Sequence, residues 1–377
     1  MKLVNQAVIL AAGECSRFFP FTCRHQHKSN FIIAGKPIIS RTIESLDRLG
    51  ITKIEVIQSP QHHQSLEQAF TKYTPSHISV RFYTQSKALG TGNAIIQALP
   101  SLENRFLVIN PQQINVDEHL ENLTKHQNLL ASPQNLILFS KATTNPSRYG
   151  MFALDNQRVT KIVEKPTDLT SLSNQRNVGV YLLTKNFVDF MNTLPIAEFQ
   201  LIEALNQYLQ DHPVFAIEVA ETSLTLKYAW DLFGINKHIQ KDNFYIAPNA
   251  KISSNCQIGP NVNIESGCIL ENVTIKNSLI GKNTIIKSSY ISDSIIGDNC
   301  QIGTNFTTQT KNTDNTPIQT VVKNKLVSSG MNSFGVLIGD NSIIGDHCTS
   351  LPGSILAPNS HLILNSSISP PKVLENP

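Results

Sequence analysis

From Tyr245 onward the apolar residues recur every five or six positions: Ile246, Ile252, Ile258, Ile264, Leu270, Ile275, Ile280, Ile286, Ile291, Ile296 and Ile302. Glycine follows several of them, as in "IGPN", "IGKN", "IGDN" and "IGTN". This spacing is neither helical nor that of a simple hairpin. It predicts a left-handed parallel β-helix of hexapeptide repeats, in which each short strand points one aliphatic residue inward and small residues turn the corners. The series breaks at a polar, hairpin-like stretch over about 304–335 and resumes at "VLIGDNSIIGDHCTSLPGSILAPNS". An excursion of that length predicts a functional arm or an oligomer contact. Coils of this kind bury one edge by assembling around an axis, so a homo-trimer is expected.

Ahead of the repeats the texture is different. "QAVILAA", "IEVIQS", "FLVIN" and "NLILFS" read as buried strands, and "VTKIVEKP" and "NVGVYLLT" as further strands. "IISRTIESLDRLG" has helical spacing and stops at Gly50, a C-cap, and "GNAIIQALP" reads as a helix closed by Pro100. Strands alternating with helices predict an open, mostly parallel α/β sheet of Rossmann-like type. The domains expected are 1–242 and 243–377.

A net charge of +3 with no basic run argues against nucleic acid as a partner. No apolar stretch approaches a membrane span. The opening "MKLVNQAVILAAGECSR" reads as a first core strand and not as a signal peptide. The six cysteines have no C-x-x-C spacing, so no zinc site is expected. Four of them (Cys256, Cys268, Cys300, Cys348) fall in small apolar repeat positions, which suits a reducing compartment and hence the cytoplasm.

Chemistry concentrates in a few segments. In "LAAGECSRFFP" a strand ends at Ala11, Ala12 and Gly13, a turn whose N–H groups can cradle phosphate, with Arg17 as a charged donor. Lys28 in "HKSNFIIAGKPII" could supply a second phosphate contact.

In order along the chain, these segments resemble the nucleotidyltransferases that join a sugar 1-phosphate to a nucleoside triphosphate and release pyrophosphate. "AVILAAGECSRFFPFT" is similar to the family's signature loop. "QSKALGTGNAI" is similar to its base-reading segment, which implies Gln85, Gly90 and Thr91 near the base. "RYGMFALDNQRVTKIVEKP" and "NVGVYLL" resemble the sugar-binding region, which implies Tyr149, Gly150, Glu164, Lys165, Asn177 and Gly179. "AWDLFGINKHI" resembles the segment that closes the domain. With the repeats behind it, nearly the whole chain resembles the archaeal-type bifunctional nucleotidylyltransferase/acetyltransferases.

The resemblance also implies Mg²⁺, and there the chain departs from the pattern. Where the family has Asn-Gly-Asp, "FLVINPQQINV" has Asn110, Pro111 and Gln112. The second metal carboxylate falls at about Thr225. Asp117, Glu118 and Glu221 are nearby in sequence but read as solvated surface charges. Cys15 and Ser16 replace the family's Gly-Thr, and a Cβ at Cys15 disfavours φ > 0. In the arm, the acetyltransferase base would fall at about Thr313, and Met331, Asn332 and Ser333 stand where basic residues would hold a coenzyme. Acetyl transfer is not expected, and His347 reads as a corner residue. Two readings remain open: a non-catalytic or regulatory relative that binds a nucleotide or nucleotide sugar beside a catalytic partner subunit, and an active, divergent enzyme using Mg²⁺.

Overall fold

The computed structural model describes residues 4–21, 26–219 and 224–371. The chain forms two compact units. The first comprises residues 1–14 and 38–224, the second residues 15–37 and 225–377.

The first unit is built on a nine-stranded sheet. Its strands are β1 (Gln6–Ala11), β2 (Lys53–Gln58), β3 (Ser79–Thr84), β4 (Arg105–Ile109), β5 (Leu136–Ala142), β6 (Gly150–Asp155), β7 (Arg158–Glu164), β8 (Gln175–Thr184) and β9 (Val214–Glu218). Their order is β3-β2-β1-β4-β8-β5-β9-β7-β6. The β3-β2-β1-β4 portion is parallel, as the alternation of strands and helices predicts. The rest is mixed. β8 runs antiparallel to both β4 and β5, and β6 and β7 form an antiparallel hairpin. The expectation of a mostly parallel sheet therefore holds for only one side. For β6 and β7 the physical reason is local: two residues, Asn156 and Gln157, separate them, which permits a hairpin and forbids a crossover.

Helices cover both faces. Residues of α1 (Ile38–Arg48), α2 (His63–Tyr73) and α4 (Val116–Leu123) join one buried cluster with Ala7 and Ile9 of β1. Residues of α3 (Gly90–Ile96), α5 (Lys185–Asn192) and α6 (Gln200–Tyr208) join the other with Val8. Alternate residues of one strand thus feed opposite cores. α1 buries Ile39, Ile43 and Leu46 at helical spacing. Gly50 then takes φ +74° and donates its N–H to Asp47 O, the stop its type predicts.

In the second unit, α7 (Leu232–Gln240) leads into three six-stranded parallel sheets. Strands of two or three residues stack at positions such as Asn263–Ile264, Leu279–Ile280 and Ile295–Ile296. This is a parallel β-helix, consistent with the left-handed form that the hexapeptide period predicts. Ile264, Ile280, Ile296 and Ile338 fill its interior with Cys268, Cys300 and Cys348. Corners are turned by residues in the left-handed region, mostly asparagine. Asn283, Asn299, Asn341 and Asn359 form a ladder in which each Nδ2 donates to the next Oδ1 at 3.1–3.2 Å. His347 occupies such a corner with φ +58°, its Nδ1 3.3 Å from Asn305 Nδ2, as its sequence context predicts. The arm contains the expected hairpin, Gln319–Val322 against Lys325–Ser328, turned by Lys323 and Asn324 at φ +51° and +57°.

Among the described residues no helix is long and apolar enough to cross a membrane.

Candidate functional site

The first unit gathers several of the sequence-predicted residues at one place. Gly150 opens β6 and pairs in register with Glu164, the last residue of β7. A Cβ at Gly150 would fall 2.7 Å from Glu164 Oε2 and 3.7 Å from the Cβ of Asn177 on β8. Gly150 is therefore the clearance that lets Glu164 and Asn177 face each other. β8 carries an irregularity between Asn177 and Tyr181. Within it Asn177 Oδ1 accepts the Gly179 N–H at 2.9 Å, and Asn177 Nδ2 donates to the Tyr181 hydroxyl at 2.8 Å. Gly179 has φ +76°, and a Cβ there would strike Asn110 Nδ2. Asn110 Nδ2 in turn donates to Gly179 O at 3.4 Å. The end of β4 and the bulge of β8 are thus joined by backbone and amide groups. Burial pushes the Tyr181 phenol up to about 12, with a further rise from the nearby Glu164 charge. Tyr181 therefore stays neutral at every physiological pH. Sequence reading did not single out Tyr181 in "NVGVYLL".

Lys165 follows Glu164 with φ +47°. Its N–H donates to Tyr149 O at 2.9 Å, and its ammonium lies 5.7 Å from the Phe199 ring centroid. Gln85 is buried and donates Nε2 to Gly90 O at 3.1 Å and to Asn93 Oδ1 at 3.0 Å. Gly90 has φ +88°, and a Cβ there would collide with the Glu198 carbonyl. Gln85 and Gly90 thus fix the start of α3, beside the exposed Thr91. At the end of β1, Ala11 and Ala12 are buried and Gly13 is exposed, with open space where its Cβ would stand.

Arg17 and Lys28 belong to the second unit. Arg17 is exposed. The Lys28 ammonium donates to Leu226 O, and its charge acts on the buried Asp231. Burial raises Asp231, against the N–H groups of Tyr228 and Lys227 and the Lys28 charge, which favour the carboxylate. The Lys28 N–H contacts Cys15 Sγ at 3.5 Å. Cys15 itself takes φ +55°, the conformation its Cβ disfavours. Its loop therefore keeps a glycine-like course without glycine. Lys28 also lines a cavity of about 150 Å³ with Phe18, Phe21, Phe31, Glu265 and Asp298.

Gln112 and Gln113, just past β4, are both buried. The carboxylates nearest in sequence are already engaged. Asp117 accepts from Ser45 Oγ at 2.6 Å and pairs with Arg48 Nε at 2.5 Å, and the Arg48 and Ser45 contacts hold its carboxyl below the usual range against burial. The reading of Asp117 as a solvated charge is corrected: it clamps α1 to α4. Glu118 accepts from Asn115 Nδ2 at 3.1 Å. Glu221 lies outside the described residues. In the arm, Thr313 is exposed, and Ser333 Oγ donates to Asp293 Oδ2 at 2.9 Å.

Residues 6–231 match the family model described as nucleotidyl transferase, and residues 240–328 match that described as GMPPB C-terminal domain. The chain belongs to the nucleotidyl transferase family. It is 28% identical to the bifunctional protein GlmU of Methanococcus aeolicus, over 96% of this chain and 94% of that protein. It is also 28% identical to the bifunctional sugar-1-phosphate nucleotidylyltransferase/acetyltransferase of Sulfurisphaera tokodaii, over 92% and 93% of the two chains. Among solved structures, UDP-glucose pyrophosphorylase from Acinetobacter baumanii superposes with a TM-score of 0.52 at 21% identity, covering 62% of this chain and 94% of that one. That likeness is one of fold.

Nucleotidyltransferases of this family generally use Mg²⁺. The residues described here do not fit it. A hard dication takes carboxylate and phosphate oxygens, whereas the end of β4 offers the amides of Asn110, Gln112 and Gln113. Among the described residues no three His, Cys, Asp or Glu side chains converge.

Proposed function

We propose that this chain binds a nucleotide sugar, or a nucleotide together with a sugar 1-phosphate, and that nucleotidyl transfer is impaired in it. In this reading it is a regulatory member of its family, a cytoplasmic homo-trimer acting beside a catalytic partner subunit. The supporting observation is the contrast between two neighbouring parts of one unit. The Gly150–Glu164–Asn177 array keeps its clearance and its hydrogen bonds. The end of β4 carries neutral Gln112, with Asp117 drawn away to Arg48. Ligand grip and metal anchorage are separable, since transition-state charge stabilisation depends on the second far more than on the first.

The roles assigned follow that division. Ala11, Ala12 and Gly13 offer N–H groups to phosphate, and Arg17 and Lys28 offer charge. Gln85, Gly90 and Thr91 face the base. Gly150, Glu164, Lys165 and Asn177 hold the sugar. Loss of the metal's protein anchor lowers the rate on the order of a thousandfold.

The second reading, an active and divergent sugar-1-phosphate nucleotidylyltransferase, draws support from the open space at Gly13 and the retained Lys28. It requires Mg²⁺ brought by substrate phosphates. Acetyl transfer is not proposed, since Thr313 is no base near neutral pH.

Calorimetry against a panel of nucleotide sugars tests the first reading. Saturable heat that Lys165→Ala weakens supports it, and silence across the panel removes it. Pyrophosphate release well above buffer from any triphosphate and sugar 1-phosphate pair would favour the second.

A further inference from the structure

Arg176 is 8% exposed, and among the described residues its guanidinium has neither a hydrogen-bond acceptor nor a carboxylate partner. It sits between Gln175 and Asn177 on β8. Strand alternation sends Asn177 toward Gly150 and Glu164, and sends Arg176 to the opposite face of the sheet. There its Cζ lies 4.4 Å from the centroid of the Tyr149 ring, so Tyr149, which the resemblance implied in the sugar-binding region, is instead engaged on the other face. Tyr149 is pinned from both sides of its own peptide: its N–H donates to Pro146 O at 3.1 Å, and its carbonyl accepts the Lys165 N–H at 2.9 Å. The backbone that carries this platform is therefore held at both its N–H and its C=O. Register places Lys141 of β5 directly opposite Arg176, so the residue paired with it carries a charge of the same sign.

The guanidinium remains charged, and none of its nitrogens is both buried and unpartnered, so its N–H groups reach solvent. Burial lowers its proton affinity, and Tyr149 opposes that. Stacking on an aromatic ring leaves the N–H fork of arginine in its own plane, free to bind two oxygens of one anion. We propose that Arg176 and Tyr149 form a binding site for a small oxyanion, a phosphate or a carboxylate group, on the face of the sheet opposite the candidate sugar site. This site goes beyond the function proposed above and does not depend on it.

Inorganic phosphate and acetate are the probes, each titrated calorimetrically into the full chain at fixed ionic strength with chloride as the balancing anion. Saturable binding of either one by the wild type, weakened about tenfold or more in Arg176→Gln, is the expected result. Preference for phosphate over acetate, or the reverse, identifies the source of the oxygens. If Arg176→Gln does not fold, Arg176→Lys decides: it keeps the charge but lacks the planar fork, and binds more weakly if the site is real. Absence of saturable binding to the wild type overturns the proposal. So does binding that the Arg176 variants leave unchanged. None of these outcomes bears on nucleotide-sugar binding, which is read in a separate titration.

Discussion

Gly150 lies so close to Glu164 that a methyl group on it would fall 2.7 Å from the carboxylate Oε2. A contact that short cannot persist, so Gly150→Ala must push Glu164 out of the array. Nucleotide-sugar affinity should fall by roughly 1–2 kcal/mol, the cost of losing a charged hydrogen-bonding group at a site. The melting temperature should change little, because Glu164 is half exposed. Paired calorimetry and thermal melts check both halves.

Gly90 serves the fold. Its φ of +88° and the Glu198 carbonyl beside it exclude any side chain. Gly90→Ala should cost about 2–4 kcal/mol from backbone strain plus the collision, and lower the melting temperature by several degrees. Gly13→Ala has open space and should be neutral toward stability. Thermal melts of the two variants give the comparison.

Tyr181 gives a pH signature. Its phenol is pushed up to about 12, while an unfolded tyrosine titrates near 10. Between those values the folded state holds the proton that the unfolded state has lost. Its contribution to stability is complete below about pH 10 and disappears as pH rises through about 12. Tyr181→Phe should flatten that part of the stability profile and loosen Asn177, whose Nδ2 would lose its acceptor. Denaturant midpoints between pH 9 and 11.5 are the measurement. The buried thiols of Cys268 and Cys300, raised to about 11 and about 12, slope the same way and remain in the variant.

Asn341 stands in the left-handed region at φ +57° and links Asn299 to Asn359. Asn341→Ala should lose about 1–2 kcal/mol through the backbone penalty and two ladder bonds. Asn341→Gly should recover the backbone share. Chemical denaturation of the three proteins separates the two contributions.

The repeat unit was legible because one aliphatic residue every six positions leaves no other way to bury a continuous stripe. On the parallel side β1, β2 and β4 were legible as largely apolar runs, whereas the half-exposed β3, "SVRFYT", was not named. The antiparallel half was not legible, since it depends on the short Asn156–Gln157 turn and on where β8 inserts, and insertion between β4 and β5 is a tertiary choice. At the site, Gly150, Glu164 and Asn177 could be named from their motifs, but their mutual clearance needs coordinates. Asp117 was misread because its partner Arg48 lies 69 residues away in sequence. Arg176 escaped notice for a similar reason: nothing in "NQRNVGV" tells that its guanidinium is buried on a tyrosine.

Gln112→Asp installs the carboxylate that the resemblance implies at the end of β4. With an otherwise competent cleft it should raise Mg²⁺-dependent pyrophosphate release by at least about tenfold, part of the stabilisation a metal supplies. No change would place the defect elsewhere in the site.

The central claim, a working ligand grip beside a weakened metal site, is met most directly by measuring both properties of the wild type on one panel of nucleotide sugars with their triphosphate and sugar 1-phosphate pairs. The account predicts saturable binding of at least one nucleotide sugar and turnover far below one per second for the matching pair. Rapid Mg²⁺-dependent turnover, or no binding to any member of the panel, would contradict it.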